Sequence, residues 1–191
     1  ATGSTDKAMS FAGSTLPGVL TTRALQILMH RHRVLPGKRF AVIGEHGDEI
    51  AHDIELSGGE VVVRDSGVNP ERLTAGGDEG VQSLSIHGKS YEVDAIVLAF
   101  GKLPDPRLAV MAECAVVCDP VTGGYIPIRD RDLGTTNQHI FAAGEIAGAA
   151  SIEVSLLEGR LAGLAAAGSL GLAADVDVEQ ARRELESAAP E

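Results

Sequence analysis

The feature that most restricts the fold is a short unit in which two apolar runs flank a helical pattern. Residues 39–43 form the first run, which ends at Gly44, and residues 47–57 have the apolar spacing of a helix. A Gly-Gly pair at 58–59 ends that helix, and the β-branched residues 61–63 follow. Two strands joined through a helix within about 30 residues are parallel neighbours, which predicts a βαβ unit. The helix side chains expected to face inward are Ile50, Ile54 and Leu56.

The rest of the chain alternates similar short elements, which indicates an α/β fold. We expect a helix over residues 21–33, a hairpin over 81–94 and a buried strand over 95–100. Gly88 suits the first central position of a type II′ hairpin turn. Further strands are expected over 114–118, 125–128 and 139–143. A long helix is expected over 149–167, with an inward stripe of Val154, Leu157, Leu161 and Leu164. Residues 178–188 form either a terminal helix or a frayed tail.

Charge and composition exclude several classes of protein. Sixteen Lys and Arg against 27 Asp and Glu give a net charge of −11, which argues against nucleic acid or an anionic membrane as a partner. Two cysteines support neither a disulfide framework nor a structural zinc site. No apolar run approaches the roughly 18 residues of a membrane span and no signal peptide opens the chain, which predicts a cytoplasmic protein.

Motifs in a fixed order resemble a known group of flavoproteins. Ala1-Thr2-Gly3 opens the chain, Leu16-Pro17-Gly18-Val19 precedes the βαβ unit, and residues 140–145 read IFAAGE. This order resembles the pyridine-nucleotide-disulfide oxidoreductase superfamily, whose members have two dinucleotide-binding domains. The resemblance is strongest to a branch containing the FAD/NAD-domain subunits of opine oxidases, hydrogen cyanide synthase, dye-linked proline dehydrogenase and heterotetrameric sarcosine oxidase. The stretches that carry it are TLPGVLTTRALQILMHRHRVLPGKR, AECAVVCDPVTGGYIPI and AAGEIAGAASIEVSLLEGRLAGLAAAG.

The resemblance implies a Rossmann-like three-layer domain with a β-meander, followed by the C-terminal part of an FAD-binding domain. Residues 1–14 would be a junction segment of the FAD domain, 15–102 an inserted NAD(P)-binding-like domain, 103–171 the end of the FAD domain and 172–191 a tail. The chain therefore resembles the second half of such a protein. It is either an excised fragment or a chain that needs an amino-terminal FAD-binding half or a partner subunit, and a homo-oligomer is a further candidate.

The resemblance also assigns an FAD site. Thr135, followed four residues later by residues 139–145, is similar to the family's second FAD fingerprint. Glu145 would accept a hydrogen bond from a ribityl hydroxyl, and the start of the next helix, over residues 147–151, would direct N–H groups at the flavin or the diphosphate. On an ordinary α/β domain the same residues are a strand end and a helix cap. The FAD-binding residues implied are Thr2, Gly3, Gly144, Glu145 and Ala147.

The turn of the βαβ unit departs from the dinucleotide-binding pattern. A G-x-G-x-x-G turn lets the backbone approach a diphosphate, whereas this chain has only Gly44 and Gly47, with Glu45 between them. Asp65 could accept a ribose hydroxyl pair, and Arg64 beside it could face a 2′-phosphate. Because the loop is two residues short and carries an acid, we expect NAD(P) to bind weakly or not at all. The favoured interpretation is a structural βαβ unit without a nucleotide, and a degenerate NAD-type site at Gly44, Gly47 and Asp65 is the alternative.

The function implied by the resemblance is flavin-dependent oxidation of the C–N bond of amines or amino acids. No catalytic base is assigned, and this chain alone is not expected to be catalytically competent or to hold FAD tightly. The alternative is a non-catalytic scaffold or subunit-docking module that keeps the fold without the cofactor. Cys114 and Cys118 are not a CxxC pair and are expected to be buried structural residues. The cluster of cations from His30 to Arg39 is either a solvated helix end or a subunit contact.

Overall fold

A computed structural model describes residues 3–67, 69–148 and 151–188. The chain divides into two compact units: unit 1 draws on Ala1–Thr5 and Lys102–Glu191, and unit 2 is Asp6–Gly101. In chain order the elements are β1 (Ser4–Asp6), β2 (Val19–Thr21), α1 (Thr22–Gln26) with a π-helical turn (Ile27–Arg31), β3 (Arg39–Ile43), α2 (Asp48–Leu56), β4 (Glu60–Asp65), a 3₁₀ turn (Pro70–Arg72), β5 (Leu73–Gly76), β6 (Ser83–Ile86), β7 (Lys89–Glu92), β8 (Ala95–Leu98), β9 (Lys102–Pro104), α3 (Arg107–Met111), β10 (Val116–Cys118), β11 (Tyr125–Pro127), a 3₁₀ turn (Gly144–Ala147), α4 (Ile152–Ser169) and α5 (Asp175–Ala188).

Unit 2 is organised around a four-stranded sheet with the order β2-β8-β3-β4. Every neighbouring pair in this sheet is parallel, and β3 is joined to β4 through α2. The second, antiparallel sheet has the order β5-β6-β7. The α/β fold predicted from the sequence is therefore confirmed, and it contains the expected parallel βαβ unit.

The central strand β3 is buried on both faces, which explains why it reads as an unbroken apolar run. Phe40 and Val42 belong to the core cluster formed with α1 and α2, whereas Ala41 and Ile43 belong to the cluster formed with the antiparallel sheet. Helices, parallel sheet and antiparallel sheet thus form three layers within unit 2.

Leu56, at the end of α2, corrects one prediction from the sequence. Ile50 and Ile54 are fully buried as expected, but Leu56 is 73% exposed. Successive helical residues are rotated by about 100°, which places Leu56 almost opposite Ile54 on the helix. An inward position for Leu56 was therefore wrong.

The hairpin between β6 and β7 has a different turn from the one predicted. Ile86 pairs with Lys89, so His87 and Gly88 are the two central residues of the turn. Their φ angles are +51° and +79°, the combination that defines a type I′ turn, whereas type II′ has a positive φ only at the first central residue. Gly88 occupies the second central position, and the predicted type II′ turn was wrong.

Unit 1 contains two pairs of short strands, β1 with β9 and β10 with β11, and a packed pair of helices, α4 and α5. Residues 139–143 do not form the predicted strand. Their backbone bonds run to a loop: the Thr135 N–H donates to the Ile140 carbonyl and the Ala142 N–H donates to the Leu133 carbonyl. Because these bonds go to a turn, the segment has a single bridge at Phe141 in place of a strand ladder.

Helix α4 is apolar on two opposite faces. Leu161 is fully buried and packs with Ala181 of α5, and Leu164 packs against the same cluster. The inward position predicted for Leu161 and Leu164 is thus confirmed, because α5 covers this part of the stripe. The exposed face lies on the other side, where Ile152 and Leu156 are 81% and 70% exposed. Among the described residues, no helix combines the length and hydropathy needed to cross a membrane.

Asp94 ties the beginnings of β3 and β8 together in unit 2. Its Oδ2 accepts hydrogen bonds from the backbone N–H groups of Lys38 (2.8 Å) and Arg39 (2.9 Å), and the Asp94 N–H donates to the Arg39 carbonyl. The N–H groups of Arg39 and Lys38 hold the pKa of Asp94 below its usual value, and the Arg39 guanidinium acts in the same direction.

We expect the Asp94 carboxylate to stabilise unit 2 in a pH-dependent way. A carboxyl whose pKa is lower in the folded state stabilises above its unfolded pKa, and this contribution is lost as the pH falls through the folded pKa. Asp94→Asn should cost about 1 kcal/mol at pH 7, and the difference from wild type should shrink towards pH 3. Urea unfolding at several pH values measures this. Glu55→Gln, at an exposed position on α2, is the control; a pH-independent loss in Asp94→Asn would contradict the assignment.

Candidate functional site

The carboxylate of Glu145 lies in a small polar cluster within unit 1. Its Oε2 accepts a hydrogen bond from the Ser4 hydroxyl at 2.9 Å, and its Oε1 lies 2.6 Å from the Lys102 ammonium. Ser4 is buried, whereas the side chains of Glu145 and Lys102 are 32% and 55% exposed. The buried Ser4 hydroxyl therefore orients the Glu145 carboxylate, and the Lys102 ammonium compensates its negative charge. The carboxylate remains accessible to solvent.

Glycines bring the backbone close to this carboxylate. Gly3 has a φ of +66°, and a Cβ at this position would lie 3.4 Å from Oε2 of Glu145. Gly144, at the start of the 3₁₀ turn that contains Glu145, has a φ of +82°. Both conformations favour glycine over other residues. Ala147, the last residue of the turn, is buried. The structure thus brings together Gly3, Gly144, Glu145 and Ala147, while Thr2 lies outside the described residues.

The predicted helix start after Glu145 lies further along the chain than expected. The 3₁₀ turn ends at Gly148, which has a left-handed conformation, and α4 begins at Ile152 with Ser151 as its N-cap. The Ser151 hydroxyl accepts the N–H of Val154 at 3.2 Å. Residues 149–150, within the span expected to direct N–H groups at a cofactor, lie outside the described residues.

An ion pair between the buried Glu158 and the partly buried Arg129 supports the turn that carries Glu145. Glu158 of α4 is 5% exposed; its Oε2 accepts the backbone N–H of Gly144 at 2.6 Å and its Oε1 lies 3.0 Å from Nη1 of Arg129. The same Nη1 donates to the carbonyl of Ala142 at 3.0 Å. The two side chains thereby fix the backbone on both sides of Ala143.

In unit 2, the residues proposed for a dinucleotide lie together but bond to one another. The Gly44 N–H donates to the Asp65 carbonyl and the His46 N–H donates to the Ala99 carbonyl, each at 2.9 Å. A Cβ on Gly44 would lie 2.4 Å from backbone atoms of Ala99, and one on Gly47 would lie 2.7 Å from Val42. The glycines therefore allow the turn to fold against the sheet, and two of its N–H groups serve the protein's own carbonyls.

The Asp65 carboxylate is also engaged within unit 2. One oxygen accepts the N–H of Gly67 at 2.9 Å, and the other lies 3.2 Å from Nε2 of His87 at the tip of the hairpin. Arg64, considered for a 2′-phosphate, pairs with Asp48 in the first turn of α2. Two N–H groups of the turn, the Asp65 carboxylate and the Arg64 guanidinium thus each have a partner within unit 2.

Several residues of these two clusters were not predicted from the sequence. Ser4 and Lys102 each follow a glycine and carry no further signal. Glu158 had one, because it is a carboxylate between the inward positions Leu157 and Leu161 of an apolar helix. His87 had none, since its contact depends on the turn type. Among the described residues, no group of three or more His, Cys, Asp or Glu side chains could hold a metal ion.

The two cysteines differ in their environments. Cys114 is buried, with its Sγ 3.2 Å from the Thr135 hydroxyl. Cys118 is exposed, because β10 belongs to a two-stranded ribbon with an open face. The prediction of a buried structural cysteine is confirmed for Cys114 and was wrong for Cys118.

Comparison with known proteins identifies relatives that share this architecture. No family profile matches the chain. The A subunit of opine oxidase from Rhizobium meliloti (strain 1021) is 26% identical over 90% of this chain and 48% of that protein. The corresponding opine oxidase protein of Agrobacterium tumefaciens (strain Ach5) is also 26% identical, over 90% of this chain and 43% of that protein. The chain therefore spans less than half the length of these relatives.

Solved structures agree with the sequence comparison. L-proline dehydrogenase from P. horikoshii matches 98% of this chain with a TM-score of 0.85 and 25% identity, over 37% of its own chain. A FAD-dependent pyridine nucleotide-disulphide oxidoreductase from Desulfovibrio vulgaris has a TM-score of 0.61 and 20% identity over 88% of this chain and 53% of its own, which shows a shared fold. The resemblance inferred from the motifs is thereby confirmed: the chain is similar to part of the A subunits of two opine oxidases, and it shares the fold of part of a FAD-dependent pyridine nucleotide-disulphide oxidoreductase.

Proposed function

We propose that this chain is the part of a flavin-dependent oxidoreductase in which Glu145 holds FAD, and that the complete protein oxidises a C–N bond of an amine or amino acid. The observation that carries the proposal is the cluster around Glu145, where an accessible carboxylate is oriented by Ser4 and Lys102 beside the close backbone of Gly3. The bound flavin would accept the hydride, while the protein supplies orientation and electrostatics.

Each residue of the cluster has a separate task in this proposal. Glu145 accepts a hydrogen bond from a hydroxyl of the ribityl chain. A carboxylate has about four acceptor sites and can therefore bind several donors at once. Lys102 compensates the charge of Glu145, so that an anionic cofactor can approach. Ser4 fixes the plane of the carboxylate. The substrate class rests on relatives named for opine and L-proline oxidation, and no residue is assigned as substrate base.

FAD titration tests this proposal. The chain alone should bind FAD with a dissociation constant above about 10 μM, because a few hydrogen bonds of roughly 1.5–3 kcal/mol offset little of the cost of ordering a large cofactor. Glu145→Ala should weaken binding about tenfold or more. Flavin fluorescence quenching measures both constants.

Glu153→Ala, at an exposed acid on α4, is the matched control and should bind as wild type does. Equal affinity of Glu145→Ala and wild type would contradict the proposed site and favour a scaffold that has lost the cofactor. Stoichiometric FAD retained by the purified wild-type chain would show that the remaining donors are stronger than we infer.

We also propose that an amino-terminal FAD-binding half, in the same or another chain, covers the outer stripe of α4. This stripe consists of Ile152, Leu156, Gly159 and Gly163, which recur every three or four residues and so share one helical face. A Cβ at either glycine would meet nothing within 4 Å, so a partner backbone can approach closely. A helix that is apolar on both faces is normally buried on both. The relatives are about twice as long as this chain, which supports a partner polypeptide.

Charge introduced into the outer stripe should prevent this association. We expect a tagged chain to bind the sequence encoded immediately upstream when that sequence is expressed as a separate polypeptide. Leu156→Glu should reduce the affinity at least tenfold, because a carboxylate buried without a partner costs several kcal/mol. Leu56→Glu, at a similarly exposed leucine of unit 2, is the control. Sedimentation measures complex formation. Self-association of the chain with no binding of the upstream polypeptide would overturn this assignment of the partner.

Unit 2 is proposed to be a structural βαβ unit that binds NAD(H) and NADP(H) weakly or not at all. Besides the internal bonds of Gly44 and Asp65, the Glu45 carboxylate would repel a diphosphate. Two unit charges about 4 Å apart repel by about 4 kcal/mol at an effective dielectric constant near 20, and even a quarter of this lowers affinity several-fold. Calorimetry with each nucleotide should detect no dissociation constant in the low micromolar range. Such a constant would contradict the proposal. Glu45→Gly should improve binding only in a variant in which the two missing loop residues are also restored.

A further inference from the structure

We infer that Arg129 and Glu158 are positioning residues, whose largely buried ion pair pre-organises the turn that presents Glu145. The inference rests on the proposed function of Glu145. Glu158 is linked to the turn directly, because its Oε2 accepts the N–H of Gly144, the residue immediately before Glu145, at 2.6 Å. We call Arg129 and Glu158 the positioning pair.

The backbone at this place depends on side chains because the segment is not a strand. The Ala142 N–H bonds to the carbonyl of Leu133, but the Ala142 carbonyl and the Gly144 N–H are bonded by Arg129 and Glu158. A ladder of backbone bonds would normally fix such groups. Here the position of Gly144 relative to α4 is set by one carboxylate, which α4 carries at a buried site.

A contribution to stability does not by itself account for this pair. Replacing a buried ion pair by apolar residues of similar volume is often neutral or stabilising, whereas removing one partner is strongly destabilising. The side chains of Arg129 and Glu158 are 18% and 7% exposed. The other inward residues of α4, the helix that carries Glu158, are apolar. Two apolar side chains would fill the same space, yet neither could bond to Gly144 or Ala142. What the pair supplies, and an apolar core would not, is a fixed geometry of residues 142–145.

The double variant Arg129→Met/Glu158→Leu separates geometry from stability. We expect its urea midpoint to stay near that of wild type, the amide hydrogen exchange of Gly144 to become at least tenfold faster, and the FAD dissociation constant to rise several-fold. The matched control is Arg160→Met/Glu184→Leu, which removes another ion pair of α4 that makes no bond to the turn. The control should leave exchange at residues 144–147 unchanged.

A second comparison covers the case in which the double variant unfolds. Glu158→Gln retains an acceptor for the Gly144 N–H, whereas Glu158→Met has a similar shape and lacks one. Exchange at Gly144 should stay slow in the first variant and become fast in the second. Equal exchange in wild type, Glu158→Gln and Glu158→Met overturns the inference, as does a folded double variant with wild-type exchange.

Hydrogen exchange is measured on the free protein, so it tests whether the positioning pair orders the turn independently of FAD binding. If exchange responds as expected but FAD does not bind, the proposed cofactor site fails and the role of the pair in shaping the turn stands. If FAD binding depends on Glu145, but neither hydrogen exchange at Gly144 nor the affinity for FAD changes in the variants of the positioning pair, the positioning role alone fails.

Discussion

In unit 1 the buried carboxylate of Glu158 fixes the backbone of a functional turn, whereas in unit 2 the hydrogen bonds of a sheet fix the backbone. In unit 2, parallel strands satisfy one another's backbone groups, and the apolar faces of the sheet need only be covered. Among the described residues of unit 1, strands occur only in pairs, so loops and helices must be joined by side chains. Glu158 makes the central connection, since it joins α4, Arg129 and the backbone of Gly144.

The sequence predicted the elements whose signals are local and missed those that depend on distant partners. The βαβ unit was evident because apolar periodicity and glycine positions are properties of a short segment. Residues 139–143 are as apolar as β3, yet they lack its ladder, because a strand needs a neighbour that its own sequence does not specify. The hairpin was located correctly, but its turn type depends on the pairing register of Ile86 with Lys89, which composition does not determine.

The two candidate cofactor turns have the same local sequence pattern but different hydrogen-bond partners. Each follows an apolar run and consists of a glycine with positive φ followed by glutamate: Gly44-Glu45 and Gly144-Glu145. At the first, N–H groups bond to neighbouring strands and the turn folds against the sheet. At the second, the backbone is bonded by a side chain and the acid is left at an accessible surface between Ser4 and Lys102. A sequence motif identifies both turns, but only three-dimensional partners distinguish them.

The ends of unit 2 lie next to each other, because the Lys7 N–H donates to the Gly101 carbonyl at 2.9 Å. When the two ends of a segment are adjacent, residues can be added to it or removed from it without moving those ends. The entropic cost of closing a longer loop grows only with the logarithm of its length. Such a segment can be gained, enlarged or lost during evolution while the chain on either side keeps its course. Unit 2 therefore has the geometry of a segment that can be exchanged as a whole, because its two points of attachment lie side by side.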